Sequence, residues 1–431
     1  MTFWNRRKKQ QLLYILVDIF SSLLVWGSFL IFRWLVYDGR VFSVDSVLIP
    51  MFNFYTPLIA YPIGCLIIYY LSGYYLRPLR KPYLRELRRT FISALIISFG
   101  AFFIFIIDDP VTQYERYITS LIVLFVLQFI GSYIPRLLVT YISHKFDHDE
   151  PRVYTIHSMN EVEQFELAHQ LEPYDEVILD FKSKSKENDI YTLINRLYPC
   201  NVEISVVPSL YDMLTGAAMI DDVSDQPLIR ISEHKMSDTG LCIKRAFDVV
   251  VSAMMLILLS PLYLILSLLV WYSSEGPVFY KQERIGLHGL PFNIIKFRTM
   301  CVHAEEATPQ LSADDDPRIT KVGKWMRKYR LDELPQFWNI LHGEMSIVGP
   351  RPERRYFINQ IEEKAPYYCM IYKIRPGLTS WGPIKVGYTD TLDKMIRRLN
   401  YDIVYIENMS IRLDIKIMFH TIGVIFNGKG K

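Results

Sequence analysis

Four long apolar windows open the chain, near Leu12–Val36, Val47–Leu71, Phe91–Ile107 and Ile118–Val139. Each approaches the roughly 20 helical residues needed to cross a hydrocarbon layer, the third being the shortest. Together they predict a four-helix transmembrane bundle over 1–145. The connection after the second window carries Arg77, Arg80, Lys81, Arg85, Arg88 and Arg89 against the single acid Glu86, whereas the first and third carry Asp38, Asp45, Asp108, Asp109 and Glu115. Basic connections stay on the cytoplasmic side, so both ends of the four-helix unit are expected to face the cytoplasm. Arg6, Arg7, Lys8 and Lys9 precede the first window and no small-residue cleavage site follows it, which favours an anchor over a cleaved signal peptide.

Over 146–240 the period changes. Short β-rich runs, Arg152–Ile156, Glu176–Asp180 and Val202–Val207, alternate with helix-like stretches at Asn160–Leu171 and Glu187–Tyr198. That alternation predicts a small parallel α/β domain. Its first turn reads His157-Ser-Met-Asn160 and lacks the glycines that let backbone approach a pyrophosphate. The expectation is therefore a degenerate Rossmann-like unit with a structural or regulatory role.

From 241 to 431 a third region is expected, with a fifth apolar segment at Phe247–Tyr272. Lys244 and Arg245 precede this segment, and Lys281, Arg284, Lys296 and Arg298 follow it, so both flanks carry the cytoplasmic sign. Ser260 and Pro261 sit in its middle, where proline removes an amide donor and breaks or kinks a helix. A re-entrant helix-break-helix that enters one leaflet and returns satisfies both observations. An ordinary fifth span kinked at the proline is the competing reading.

Beyond Gly276 the pattern predicts a hairpin with strands near Val278–Arg284 and Phe292–Thr299. Asp314-Asp-Asp316 is expected to be a solvated acidic loop, since no ligand spacing supports a metal there. Arg318–Arg330 holds six basic residues and no acid, with Val322, Trp325, Met326 and Tyr329 at helical spacing. It reads as a basic amphipathic helix, suited either to an anionic membrane surface or to a core with a solvated back.

Asp332 and Glu333 then open a stretch expected to be helical to His342 and stopped by Gly343, with Pro335 tolerated in the first turn. The helix dipole and nearby cations are expected to keep Asp332 ionised. An ionised aspartate can attack phosphorus and split one displacement into two. An adjacent glutamate can hold Mg²⁺, which takes one or two carboxylates plus substrate phosphates. Such pairs at helix starts also simply cap. Gly349-Pro-Arg-Pro352 stiffens the backbone around Arg351, and a preorganised guanidinium suits phosphate oxygens. Arg327, Lys296 and Arg298 are candidates to complete an anion pocket.

Composition adds two limits. A chain of 431 residues that is 51% hydrophobic is richer in apolar residues than an ordinary soluble protein, and a net charge of +3 gives no support for nucleic-acid binding. Cys65, Cys200, Cys242, Cys301 and Cys369 show neither CxxC spacing nor a matching histidine pair, which argues against a disulfide framework and a zinc site.

Lys244-Arg-Ala-Phe-Asp248, the Ser260-Pro261 break, Gly276-Pro-Val-Phe-Tyr280, Gln282-Glu-Arg-Ile-Gly286, Lys296-Phe-Arg-Thr-Met300, Leu331-Asp-Glu-Leu-Pro335, Val348-Gly-Pro-Arg-Pro352 and Arg375-Pro-Gly-Leu-Thr379 occur in this order. Together they resemble the bacterial sugar transferases, the monotopic polyprenyl-phosphate phosphoglycosyl transferases. The resemblance runs from about Lys244 to the end. The preceding spans and α/β unit are similar to those of the large members that initiate capsule, exopolysaccharide or O-antigen synthesis at the bacterial cytoplasmic membrane. It implies a membrane α+β protein with a catalytic α/β domain on the cytoplasmic face. It also implies a ping-pong transfer of sugar-1-phosphate from a UDP-sugar to undecaprenyl phosphate. In that scheme Asp332 is the nucleophile, Glu333 the Mg²⁺ ligand, and Lys296, Arg298, Arg327, Arg351 and Arg375 bind substrate phosphate. Membrane lipids are implied partners, and a homodimer is compatible with the family.

One departure stands out: many relatives carry Asn-Gly-Arg where this chain has Val386-Gly387-Tyr388, which bears on selectivity for the nucleotide or sugar. Asp402 and Asp414 are candidate secondary site residues, with capping or surface roles as the alternative. A non-catalytic scaffold is the rival from another class. A transporter fits poorly, because Asp18 and Arg33 are the main ionisable residues expected within the spans.

Overall fold

The computed structural model describes residues 3–36, 49–76, 83–105, 114–146, 152–158, 161–171, 174–180, 192–194, 196–197, 202–208, 228–231, 236–301, 316–387 and 391–426. Asp314, Asp315, Tyr388 and the Arg77, Arg80 and Lys81 connection lie outside them. The chain divides into two compact units, Met1–Glu150 with Asp238–Ile243, and Pro151–Ser237 with Lys244–Lys431.

The first unit packs four helices, α1 (Phe3–Val36), α2 (Ile49–Leu71), α3 (Tyr83–Phe105) and α4 (Tyr114–Phe146). Three stretches are long and apolar enough to cross a membrane: Lys8–Arg33, Glu86–Ile104 and Glu115–Ile142. In α2 the apolar part, Pro57–Leu71, is shorter. Outward positions such as Leu16, Phe20, Ile63, Ile104 and Ile134 are exposed, while aromatic residues including Tyr14, Trp26, Phe29, Tyr61 and Tyr69 fill the interior.

That interior also holds a charge pair that sequence reasoning missed. Arg136 of α4 is fully buried, and its Nε and Nη2 donate to the two carboxylate oxygens of Asp18 on α1 at 2.7 and 2.8 Å. The guanidinium lies between the rings of Tyr69 and Tyr74, 3.7 and 3.8 Å from their centroids, and Tyr75 Oη donates to Asp18 at 2.6 Å. Nearby, Glu86 of α3 accepts from Tyr74 Oη and from Thr140 Oγ1. All four helices meet around one polar knot, and a buried charge stripped of its partner is expensive. Asp18→Asn is therefore expected to cost about 3–5 kcal/mol. In a detergent thermal-aggregation assay it should lower the midpoint far more than Leu16→Asn on the exposed side of α1.

In the second unit, β1 (Val153–Ile156), β2 (Glu176–Leu179) and β3 (Glu203–Val206) form a parallel sheet, with α5 (Glu161–Leu171) after β1. A short edge strand, β4 (Ile229–Arg230), pairs antiparallel with β3, so the sheet is mixed and not purely parallel as its first three runs suggested. The order is β1-β2-β3-β4 straight across. A dinucleotide crevice forms where strand order reverses, and no reversal occurs among the described strands.

The fifth apolar segment is two helices, α6 (Asp238–Leu258) and α7 (Ser260–Ser273), bent by 63°. Pro261 occupies the first turn of α7, where its missing amide costs nothing, so it restarts a helix. The bend exposes Ile257, Leu258, Leu264 and Ile265, an apolar tip that water would disfavour.

The first half of α6 is fixed to the rest of the unit. Lys244 Nζ donates to Val348 O at 2.9 Å, Arg245 donates to Ile340 O and Leu341 O, and Asp248 accepts from Ser346 Oγ and Ile347 N. On the other arm, Leu266 and Val270 pack with Phe297 and Met326 in a small core, and Tyr263 Oη donates to Leu334 O at 2.7 Å.

The hairpin joins β5 (Phe279–Ile285) and β6 (Pro291–Phe297), with Phe279 opposite Phe297 and Ile285 opposite Pro291. After it come α8 (Lys321–Lys328), a 3₁₀ turn (Leu331–Glu333), α9 (Gln336–His342), β7 (Ser346–Val348), α10 (Arg355–Lys364), β8 (Gly377–Thr379), α11 (Trp381–Val386), α12 (Leu392–Glu407) and α13 (Ile411–Phe426). In α8, Met326 is buried and Val322 packs beside it, but Trp325 does not share their face. It is 47% exposed, alongside exposed Lys321, Lys324 and Lys328.

Candidate active site

The expected helix from Asp332 to His342 is interrupted. Arg330 adopts a left-handed conformation, φ 58°, and starts a 3₁₀ turn holding both carboxylates; α9 begins only at Gln336, after Pro335. A non-glycine residue with positive φ is strained, and here the strain turns Asp332 and Glu333 out of α8 and under β6. Gly343, φ 90°, ends α9 as expected.

Glu333 is 7% exposed and surrounded by cations. Its Oε1 accepts from Lys296 Nζ at 3.1 Å and from Arg351 Nη2 at 3.2 Å, while Oε2 accepts from Arg330 Nη1 at 3.2 Å. Burial by itself pushes the carboxyl up, but Lys296, Arg330 and Arg351 outweigh it and hold Glu333 well below the usual carboxylate range. Burial also pulls the Lys296 ammonium down, against the pull of Glu333.

Asp332 is the opposite case. It is 8% exposed, and its Oδ1 is shut off from solvent with no hydrogen-bond partner among the described residues. Burial, and then the charge on Glu333, push its carboxyl above the ordinary aspartate value; Lys296, Arg330 and Arg327 offset this only in part. The expectation that cations and a helix dipole favour its ionised form is therefore corrected. The cations go to Glu333, and Asp332 heads no α-helix. The two adjacent carboxyls are pushed apart, Glu333 downward by its cations and Asp332 upward by burial, a pattern common at reaction centres.

Arg351 is held through its backbone. Gly349 N donates to Thr379 O, Gly377 N to Pro350 O, Arg351 N to Asp402 Oδ2 at 3.4 Å, and Ile285 N to Glu353 O. Gly349 is required here, since a Cβ would lie 2.4 Å from Arg375 O. Arg284 Nη1 donates to Pro352 O and Glu353 Oε2, and Arg398 Nη2 donates to Glu353 Oε1.

These elements all fall within the stretch shared with known proteins. Residues 239–428 match the family described as bacterial sugar transferase. The UDP-N-acetylgalactosamine-undecaprenyl-phosphate N-acetylgalactosaminephosphotransferase of Aeromonas hydrophila is 35% identical over 257 residues, 60% of each chain. The UDP-glucose:undecaprenyl-phosphate glucose-1-phosphate transferase of Escherichia coli K12 is 36% identical over 232 residues, 53% of this chain and 50% of that one. The protein of the same name from Caulobacter vibrioides is 39% identical over 183 residues, 42% of this chain and 68% of its own length. The chain belongs to the bacterial sugar transferase family. It spans 60% and 50% of the length of the first two of these relatives.

Within this family member the expected anion pocket is only partly assembled around the carboxylates. Lys296 and Arg351 reach Glu333, joined by Arg330, which sequence reasoning left inside the basic run. Arg298 instead donates from Nη2 to Ser274 O at 2.6 Å; Arg327 Nε donates to Thr299 Oγ1 at 2.9 Å, though its charge still acts on Asp332. Arg375 Nε donates to Gly343 O at 2.7 Å, where it caps α9 together with Arg245. Asp402 lies beneath the Arg351 loop, accepting from Ser380 Oγ and Gly382 N, and burial pushes it to about 6. Asp414 ties α13 to α6 through Lys244 at 2.7 Å and accepts from Tyr405 Oη. Ser260 and Pro261 form the break itself.

No group of three or more His, Cys, Asp or Glu side chains gathers among the described residues. A divalent cation would therefore rest on one or two carboxylates and complete its shell with ligand and water oxygens, the usual Mg²⁺ pattern. Glu333, with unpartnered Asp332 Oδ1 beside it, fits that donor set.

Proposed function

We propose that the chain is a phosphoglycosyl transferase that moves a sugar-1-phosphate from a UDP-sugar to undecaprenyl phosphate, giving undecaprenyl-diphospho-sugar and UMP. The relatives' names support the substrates and the reaction class. The observation that carries the mechanism is Asp332, buried and without a hydrogen bond on Oδ1 beside a cation-held Glu333. In this mechanism an Asp332 oxygen attacks the β-phosphorus, the bond to UMP breaks, and UMP leaves with the electron pair. An oxygen of the lipid phosphate then attacks the same phosphorus and expels the Asp332 carboxylate. The sugar C1–O bond stays intact throughout.

Lys296, Arg330 and Arg351 neutralise charge that builds on phosphate oxygens, and the pinned Gly349–Pro352 loop supplies Arg351 without reorganisation. Glu333 holds Mg²⁺, which when bound supplies Lewis-acid charge at the phosphates. In this reading the four N-terminal helices all span the bacterial inner membrane, α6 and α7 form a re-entrant pair, and the catalytic region faces the cytoplasm. There a soluble nucleotide meets a lipid phosphate in the first membrane step of a surface polysaccharide.

The test is intact-mass analysis of the full chain mixed with Mg²⁺ and a panel of UDP-sugars, with no lipid acceptor. Stoichiometric UMP and a sugar-phosphoryl adduct on the peptide containing Asp332 are expected. Silence across the panel would favour the non-catalytic scaffold. The pH profile follows from the raised Asp332: attack needs the ionised form, so the UMP burst should fall as pH drops through a midpoint above the usual aspartate value of 3.8. Glu333, held low, remains an anion through that range. A burst that persists down to the pH of an ordinary aspartate would remove Asp332 as the nucleophile.

A further inference from the structure

A set of unsatisfied donors lies apart from the cations paired with Glu333. Arg298 directly follows β6 and is 7% exposed; its amide still donates to Val278 O at 2.9 Å. Among the described residues only Nη2 of its guanidinium is paired, to Ser274 O at the end of α7. Nε and Nη1 are closed off from solvent with no partner among the described residues, and so is Ser274 Oγ. Buried charged donors are seldom left unpaired, because each costs its full desolvation. Capping α7 needs one nitrogen, so it leaves the other two, and the serine hydroxyl, without a purpose. An acceptor with several anionic oxygens would satisfy all three.

The surroundings say what kind of anion. The α7 helix exposes Leu264, Ile265 and Leu268 along its length and Trp271 and Tyr272 near its end. Such aromatic pairs mark the level where hydrocarbon gives way to headgroups, and Ser274 comes two residues later. Whether α6 and α7 re-enter or cross, this end of α7 sits at an interface. Residues 296 and 298 also lie on one side of an extended chain, roughly 7 Å apart. A group held at Arg298 is therefore next to Lys296 and, through it, to Glu333 and Asp332.

We propose that Arg298 and Ser274 form the subsite that receives the phosphate of the lipid acceptor, with its apolar tail along exposed α7. Lys296, Arg330 and Arg351 then serve the nucleotide sugar. This assignment rests on the phosphoryl-transfer reading above. It divides one apparent basic pocket into a donor half at the carboxylates and an acceptor half at the end of the membrane helix. From the acceptor half, a lipid phosphate oxygen attacks the phosphorus carried by Asp332, forming the new P–O bond as the bond to Asp332 breaks.

The experiment uses the full chain in nanodiscs of zwitterionic phospholipid. It compares two readouts: the UMP burst without acceptor, and steady turnover titrated with polyprenyl phosphate. Loss of charge-assisted hydrogen bonds worth about 1.5–3 kcal/mol corresponds to a weakening of about 10–100-fold. Arg298→Gln is expected to raise the KM for polyprenyl phosphate by that factor, while the burst falls far less. Ser274→Ala, which removes a single hydroxyl from a half-buried loop, should raise the same KM about 3–10-fold without shifting the melting temperature. It serves as the test if Arg298→Gln does not fold.

An unmoved KM in both variants, or a burst that falls in parallel with turnover, overturns the assignment. Equal competition by inorganic phosphate, or by phosphatidic acid in the same nanodiscs, overturns it too, since the subsite would then read any phosphate or any anionic lipid. A wild-type chain with no burst at all defeats the transfer reading itself, and this subsite with it.

Discussion

Asp332→Asn should abolish UMP release and at the same time make the protein more stable. The first effect is large because an amide cannot accept a phosphoryl group, and deleting a nucleophile costs on the order of 10⁴-fold or more. The second follows from burial. Asp332 carries a carboxyl raised by desolvation and by Glu333, with Oδ1 unpartnered. In the linkage sense its ionised form destabilises the fold above its raised pKa, and that penalty is relieved as pH falls through it. Asparagine mimics the relieved state at every pH and can donate toward Glu333. A gain of about 0.5–2 kcal/mol is expected, the size seen when a functional liability is removed. Differential scanning fluorimetry in detergent at neutral pH should show the midpoint rising by a few degrees. A variant that melts lower than wild type would mean that Asp332 is structurally satisfied and that its burial has another purpose.

Glu333→Gln should move both readouts downward. Among the described residues Glu333 is the ion-pair partner of Lys296, Arg330 and Arg351, so neutralising it leaves three converging cations without their shared counter-charge. Breaking a buried pair in this way costs about 3–5 kcal/mol. Linkage has the opposite sign from Asp332: the folded pKa is depressed, so Glu333 adds stability above its unfolded value and loses it as pH falls through the folded one. In the same scan Glu333→Gln is expected to melt well below wild type, and UMP release should drop by about 10²–10³-fold, the scale of losing one preorganised electrostatic contact. Excess Mg²⁺ should restore little of it. Two neighbouring, chemically similar substitutions would thus shift stability in opposite directions. Equal shifts of the same sign would show that the two carboxyls share the cations evenly.

Much of the fold was legible because apolar periodicity and turn residues act locally. The strands near Arg152, Glu176 and Val202, the hairpin around Gly286 and the stop at Gly343 all fall within a residue or two of their structural positions. The break at Ser260-Pro261 was readable for the same reason. What stayed hidden depends on contacts distant in sequence. Arg330 leaves the basic helix only because its backbone turns left-handed, so its convergence on Glu333 leaves no mark in composition. Arg298 matches Lys296 in type and spacing, yet packing against the end of α7 takes one of its nitrogens. Trp325 obeys helical spacing but faces outward, since Met326 and Val322 already fill the gap beside Phe297. Arg136 lay inside an apolar window, and only the fold shows that Asp18 is its partner.

The ties from α6 into the rest of its unit change how the membrane segment should be regarded. Lys244, Arg245 and Asp248 bind the ends of α9 and β7, while Leu266, Val270 and Tyr263 line the underside of the turn that carries Asp332. The greasy α6–α7 pair is thus an internal wall beneath the candidate site as well as the mooring proposed for it. Trimming the chain to begin at β5 would not yield a water-soluble catalyst, and grafting a generic hydrophobic anchor in its place would restore location without restoring the floor.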